Sequence, residues 1–179
     1  GPGRVTCVDK ANVFRAFAFF RSIFDEEAAR HPELTSDHAY VDATALWMVQ
    51  QPWEFDVLVT ENMFGDILSD LGAGLMGGLG LAPSADIGLE HAVFQPCHGS
   101  APDIAGQGAA NPFAMILSAA MMLEWLGTKH ENEEMRRDGD AMRAAVDQVV
   151  TDGRALTRDL GGTATTKDAA AAVEAVLFP

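Results

Sequence analysis

Hydrophobic and polar positions divide the chain into short apolar runs and segments of helical period. A β-rich run, Arg4 to Val8, leads through Asp9-Lys-Ala-Asn12 into a segment where Val13, Phe17, Phe20 and Phe24 form one stripe. Phe14 and Ile23 widen that stripe, and Arg15, Arg21, Glu26 and Arg30 take the other side, which predicts strand, loop and amphipathic helix, ended by Pro32. His38 to Val41 reads as a second short strand, with Asp42 at the mouth of a helix over roughly residues 43–49. Phe55 to Thr60 is nearly continuous in apolar residues and bounded by turn signals, the pattern of a parallel strand in a sheet interior. A helix carrying Asp66 to Leu71 follows. Five glycines lie between Gly72 and Gly80, each costing a helix up to about 1 kcal/mol relative to alanine, which predicts a hinge or domain crossing near residues 76–80.

In the second half, Ala92 to Gln95 reads as a strand and Pro96 to Asn111 as a long loop rich in glycine and proline. Pro112 suits the first position of a helix running to Leu126, with Gly127 as its C-terminal cap. An acidic amphipathic helix over residues 131–150 stops at Gly153, Leu156 to Gly162 is a loop, and Thr165 or Thr166 caps a last helix from Lys167 to Leu177. Alternating strands and helices predict an α/β fold, though not a regular doubly wound one.

Charge removes whole classes of function. Twelve Lys+Arg against 26 Asp+Glu in 179 residues give a formal charge of −14, so nucleic-acid backbones and anionic membrane surfaces are repelled. Cys7 and Cys97 are too few for a disulfide framework and fit two unlinked thiols in a reducing, cytoplasmic setting. The longest apolar stretch, Phe113 to Leu123, falls short of the ~20 residues that span a bilayer, and no signal-peptide pattern is present.

Three places carry residue types suited to chemistry. Asp66 and Asp70 are four apart on one helical face, a like-charge spacing that costs a few tenths of a kcal/mol unless a cation compensates. With Asp42 just past a strand end, three carboxylates could serve a hard cation such as Mg²⁺ or Mn²⁺; the alternative is three solvated acids near helix termini. Lys10, one of only three lysines, sits where a strand end meets a helix, either as a base, as a partner of a phosphate or carboxylate, or as a surface lysine balancing Asp9. His98-Gly-Ser-Ala-Pro-Asp103 combines free backbone amides with an imidazole and a carboxylate able to take both hydroxyls of an adenosine ribose. No Gly-x-Gly-x-x-Gly follows a strand, so a Rossmann site is not supported.

Together these motifs resemble the metal-dependent β-decarboxylating dehydrogenases, the family of isopropylmalate, isocitrate, homoisocitrate and tartrate or D-malate dehydrogenases. The resemblance rests on Asn62-Met-Phe-Gly-Asp-Ile-Leu-Ser-Asp70 with its glycine-rich continuation to Leu81, supported in order by Asp9-Lys-Ala-Asn12, Tyr40-Val-Asp42, His98 to Gly106 and Ala110-Asn-Pro112. It implies a non-Rossmann isopropylmalate dehydrogenase-like fold, with residues 3–76 part of a small dimer-forming domain and 77–179 part of a large cofactor domain. It also implies that Asp66 and Asp70 bind Mg²⁺ or Mn²⁺ together with a hydroxy-acid substrate, and that Asp42 completes the site from the partner subunit of a homodimer. Lys10 would reach across the dimer to assist removal of the substrate hydroxyl proton as hydride passes to NAD. His98, Gly99, Ser100, Ala101, Asp103 and Asn111 match the adenosine-binding loop, with Asp103 implying NAD over NADP.

Departures from the family pattern also bear on function. Gln95 stands where many members have glutamate. The arginines that bind malate-type carboxylates and the tyrosine that protonates the enolate have no counterpart here: Tyr40 is the sole tyrosine, within the Asp42 motif. The chain is therefore expected to be the C-terminal half of such an enzyme. Two further readings stay open, a non-catalytic dimerisation or regulatory subunit and a metal hydrolase built on the three aspartates. Asp159-Leu-Gly-Gly-Thr leans toward the isopropylmalate and tartrate branches.

Overall fold

A computed structural model describes residues 3–179. The chain divides between Leu75 and Met76 into two compact units. The first contains β1 (Arg4–Asp9), α1 (Arg15–Ala28), β2 (Thr35–Tyr40), α2 (Val41–Gln50), β3 (Val57–Thr60) and α3 (Asn62–Leu75). Its sheet is parallel in the order β2-β1-β3, Val5 facing Ser36 on one side and Val57 on the other.

The central strand is therefore β1, and Cys7, Val8 and Asp9 are fully buried in it. The expectation that the apolar run ending at Thr60 is an interior strand needs correcting. β3 is parallel but lies at the sheet edge, with Val57 53% and Val59 37% exposed. Apolar composition reports how much a strand can bury, and pairing decides which strand is flanked on both sides. The stripe on α1 is likewise only half used. No α1 residue is fully buried, and Val13, Phe14, Phe19 and Ile23 are exposed. Phe17 stacks on Phe64 with ring centroids 4.9 Å apart, and Phe24 meets His38 edge-on. Phe20, Ile23 and Phe24 line an apolar cavity of about 310 Å³ with Val5, Leu34 and Val59.

The helix after β3 begins on Glu61, whose carboxylate accepts from the amides of Met63 and Phe64 at 3.0 and 2.8 Å. It runs through Gly72 and Gly74 before Gly77 and Gly78, at φ +115° and +123°, break it.

The second unit contains β4 (Pro83–Ile87), β5 (Ala92–Pro96), α4 (Phe113–Lys129), α5 (Glu133–Asp152) and α6 (Thr166–Leu177). β4 pairs antiparallel with β5; its five residues alternate apolar Pro83, Ala85 and Ile87 with polar Ser84 and Asp86, a strand signal that the sequence reading passed over. Phe113 and Leu117 of α4 pack with Ala145, Val146 and Val149 of α5 and with Ala169 and Val173 of α6. Gly127 is not the expected cap. It is buried inside α4, where a Cβ would lie 2.5 Å from Arg136 Cγ and 2.8 Å from the Asn132 carbonyl oxygen, so its role is close helix approach. Asn132 caps α5, Gly153 ends it at φ +68°, and Thr165 caps α6 in a reciprocal box with Asp168.

Before that cap the chain folds tightly on itself: the Ala164 amide donates to the Leu156 carbonyl at 2.9 Å and Gly162 to Thr157 at 3.0 Å. A Cβ on Gly162 would lie 1.9 Å from the Leu156 carbonyl oxygen. Gly162→Ala is expected to cost about 3 kcal/mol, because backbone rather than a movable side chain fills the space. An unchanged urea midpoint would contradict this.

Candidate active site

The turn after β1 carries the first group of site residues. Asp9 is fully buried; its carboxylate accepts from Arg21 Nε and Nη2 at 2.7 and 2.8 Å and from the Ala11 amide at 2.8 Å. Burial by itself would raise the Asp9 pKa, but the Arg21 fork and the Ala11 amide outweigh it and hold the carboxyl below its ordinary value. Burial pushes the neighbouring Cys7 thiol up to about 12, reinforced by the Asp9 charge, so this cysteine is an inert part of the strand.

Lys10 therefore does not balance Asp9. Its Nζ lies 2.5 Å from Asp42 Oδ1, in the first turn of α2, and Lys10 lowers the Asp42 pKa by hydrogen bonding. Lys10 Nζ and Arg21 Cζ also approach the Tyr40 ring, 5.8 and 5.4 Å from its centroid. Asp9, Lys10, Arg21, Tyr40 and Asp42 thus form one connected group. Sequence reading placed Arg21 on a solvated helix face; only the approach of α1 to the end of β1 turns it inward.

Asp66 and Asp70 lie on α3, both exposed and one turn apart. Among the described residues neither carboxylate accepts a side-chain hydrogen bond or ion pair. Two free carboxylates at this spacing are hard oxygen donors of the kind Mg²⁺ or Mn²⁺ takes, so the donor chemistry fits such a cation. Among the described residues no three His, Cys, Asp or Glu side chains gather as a metal site. Within one chain Asp42 pairs with Lys10 and does not gather with Asp66 and Asp70.

The second unit holds a cavity of about 780 Å³. His98, Gly99, Ser100, Ala101 and Asn111 line it, together with Gly80, Arg158, Asp159 and Thr166. The loop turns through left-handed Ala101 at φ +44°, Gly106 at +74° and Gly108 at +61°, and Cβ atoms at Gly99, Gly106 and Gly108 would meet nothing within 4 Å. This open backbone, next to a volume within the usual range of ligand sites, fits the adenosine part of a dinucleotide. His98 Nδ1 donates to the Gly99 carbonyl at 3.0 Å.

Asp103 is in the short 3-10 turn Pro102–Ile104 and is not among the residues lining the cavity; its carbonyl accepts from Gln107 Nε2 at 2.8 Å. The Asn111 side chain is also engaged, its Oδ1 accepting from the Phe113 amide at 2.9 Å and its Nδ2 donating to Asp159 at 3.0 Å. Gln95 is exposed on β5, opposite Ser84. Among the described residues no helix is long and apolar enough to cross a membrane.

Comparison with known proteins agrees with this geometry. Residues 1–176 match the isocitrate/isopropylmalate dehydrogenase family. Homoisocitrate dehydrogenase of Methanocaldococcus jannaschii is 48% identical over 166 residues, covering 92% of this chain and 45% of that protein. The 3-isopropylmalate dehydrogenase of Archaeoglobus fulgidus is 46% identical over 178 residues, covering 99% and 52%. The crystal structure of isocitrate dehydrogenase from Methylococcus capsulatus superposes with a TM-score of 0.88 at 46% identity, covering 98% of this chain and 51% of that one. The chain spans about half the length of these relatives. With a family match over almost its whole length and a fold that superposes on solved members, the chain belongs to the isocitrate/isopropylmalate dehydrogenase family.

Proposed function

We propose that this chain supplies the metal, proton-transfer and adenosine-binding elements of an NAD- and Mg²⁺- or Mn²⁺-dependent enzyme that oxidatively decarboxylates a 3-substituted malate, most like isopropylmalate dehydrogenase. One observation carries the reading: Lys10 and Asp42 form a single ion pair, while Asp66 and Asp70 stand together without a protein cation. The pair and the two free carboxylates are complementary halves. A homodimer that brings Lys10 and Asp42 of one copy to Asp66 and Asp70 of the other assembles three carboxylates and one amine around the substrate. Leu46 and Val49 on α2, with Met63, Ile67 and Leu75 on α3, are exposed apolar residues suited to such an interface.

In this reading Asp66 and Asp70, joined by the second copy's Asp42, would hold the cation beside the substrate hydroxyl. A divalent cation bound there supplies Lewis-acid stabilisation of negative charge on the substrate oxygen. Lys10 assists removal of the hydroxyl proton, directly or through one water, while Asp42 keeps its side chain in place. His98 to Ala101 offer backbone groups to the adenosine; the Asp103 carboxylate, outside the cavity lining, would oppose a 2′-phosphate only by its charge at a distance.

Steady-state assay with NAD⁺, Mn²⁺ and a panel of 3-substituted malates tests this reading. In any preparation that turns over, the reaction is expected to require both NAD⁺ and Mn²⁺ and to disappear on chelation. Asp70→Asn is expected to weaken Mn²⁺ binding at least tenfold by calorimetric titration, since removal of one of three charged donors removes a charge-assisted contact. Mn²⁺ binding unchanged in Asp70→Asn would refute the metal assignment. Absence of any Mn²⁺ binding by calorimetric titration would favour the regulatory-subunit reading, in which these acidic residues are unoccupied.

A further inference from the structure

The loop that lines the larger cavity is not held by its own hydrogen bonds alone. Its first limb closes on itself: the Ile104 amide donates to the Ala101 carbonyl at 3.1 Å and the Gln107 amide to Ile104 at 3.2 Å. Its second limb, Gly108 to Asn111, is bound instead to the segment between α5 and α6. The Thr166 amide donates to the Gly108 carbonyl at 2.7 Å, Thr166 Oγ1 to the Ala110 carbonyl at 2.5 Å and Asn111 Nδ2 to Asp159 Oδ2 at 3.0 Å. The other oxygen of Asp159 accepts from Thr157 Oγ1 at 2.6 Å, and Thr157 is fully buried.

Gly80 packs onto the same contact: a Cβ there would lie 2.6 Å from Asp159 Oδ2 and 2.7 Å from Asn111 Nδ2. Three separate stretches of chain therefore meet at one hydrogen bond in the cavity wall. Its consequence for Asn111 is specific. With Oδ1 on the Phe113 amide and Nδ2 on Asp159, both polar ends of this side chain are already anchored to the protein.

We infer that Asp159, seconded by Thr166, is a positioning residue for dinucleotide binding: it fixes the Gly108–Asn111 limb through Asn111 and sets cofactor affinity by holding that limb in place. The inference rests on the dinucleotide reading of the cavity. It runs against simple electrostatics, and that separates the two. NADH is an anion, so a carboxylate acting only through its charge at the cavity rim would weaken binding, and its removal would tighten binding. A carboxylate acting by position does the reverse: its loss frees the limb, and ordering it again opposes binding.

The experiment titrates the intact chain with NADH and with ADP-ribose, by fluorescence and calorimetry, well below the melting temperature of each variant. Asp159→Ala is expected to weaken both ligands about tenfold, the scale of one hydrogen bond to a charged group. Asp159→Asn keeps an oxygen that can accept from Asn111 Nδ2 and is expected to bind within about threefold of wild type. Thr166→Val is expected to weaken binding as well, with Thr166→Ser restoring it. Wild-type binding with Asp159→Ala equal or tighter overturns the positioning role alone, even if that variant melts earlier. Failure of the wild-type chain to bind either ligand overturns the dinucleotide reading and this role with it.

Discussion

Arg21→Ala is expected to lower the stability of the first unit by about 3 kcal/mol, read as a shift of the urea midpoint at pH 7. The loss follows from leaving Asp9 charged, fully buried and without its guanidinium; stripping one partner from a buried pair costs roughly 3–5 kcal/mol. The lower end applies because Arg21 is itself a quarter exposed and water reaches part of the pair. Arg21→Lys is expected to recover only part, since an ammonium cannot reproduce the two-pronged contact.

The pH dependence gives a sharper test. In the wild type the Asp9 pKa is depressed, so its contribution is complete above the unfolded-state value of about 3.9 and is lost as pH falls through the lower folded value. Without Arg21, burial dominates and raises the folded pKa. The sign then reverses: the variant is relatively favoured below the unfolded value and loses stability as pH rises through the folded one. Wild type and variant should converge on acidification. A constant gap between pH 7 and pH 4 would refute the assignment of the loss to the Asp9 charge.

Lys10→Ala is expected to reduce kcat by about 10²–10⁴-fold in any preparation of the protein that turns over, the usual range for removing a positioned acid–base group. Mn²⁺ affinity should change little, because lysine contributes no metal ligand. Asp42→Asn is expected to lower both metal affinity and kcat, as this carboxylate holds Lys10 at 2.5 Å and, in the proposed site, would also serve the cation. Equal losses of metal affinity in the two variants would contradict this division of roles. So would turnover within threefold of wild type in Lys10→Ala.

The two groups around Lys10 and Asp159 share a design. In each, a residue expected to do chemistry or bind is held by a carboxylate far from it in sequence: Asp42 holds Lys10, and Asp159 holds Asn111. Neither contact has a short-range signature. Lys10 and Asp42 are 32 residues apart and Asn111 and Asp159 are 48 apart, so nothing in local spacing distinguishes these carboxylates from the others in an acidic chain.

Residue order alone determined the elements whose signals are local. Glycine and proline positions, the period of the Phe-rich stripe, the cap at Thr165 and the stop at Gly153 act within a few residues, and the helices begin and end close to where these signals place them. The four ordered motifs likewise identified the family before any contact was known. Only the tertiary structure decided which strand lies at the centre, because pairing, not composition, buries β1 and leaves β3 at an edge. It also made Gly127 a contact between helices instead of a cap, and turned Arg21 from a solvated helix face onto a buried carboxylate. Each of these outcomes depends on groups far apart in sequence meeting at bonding distance. The energy of such a contact, a desolvated charge pair or a backbone with no room for a methyl group, exists only once the chain has folded around it.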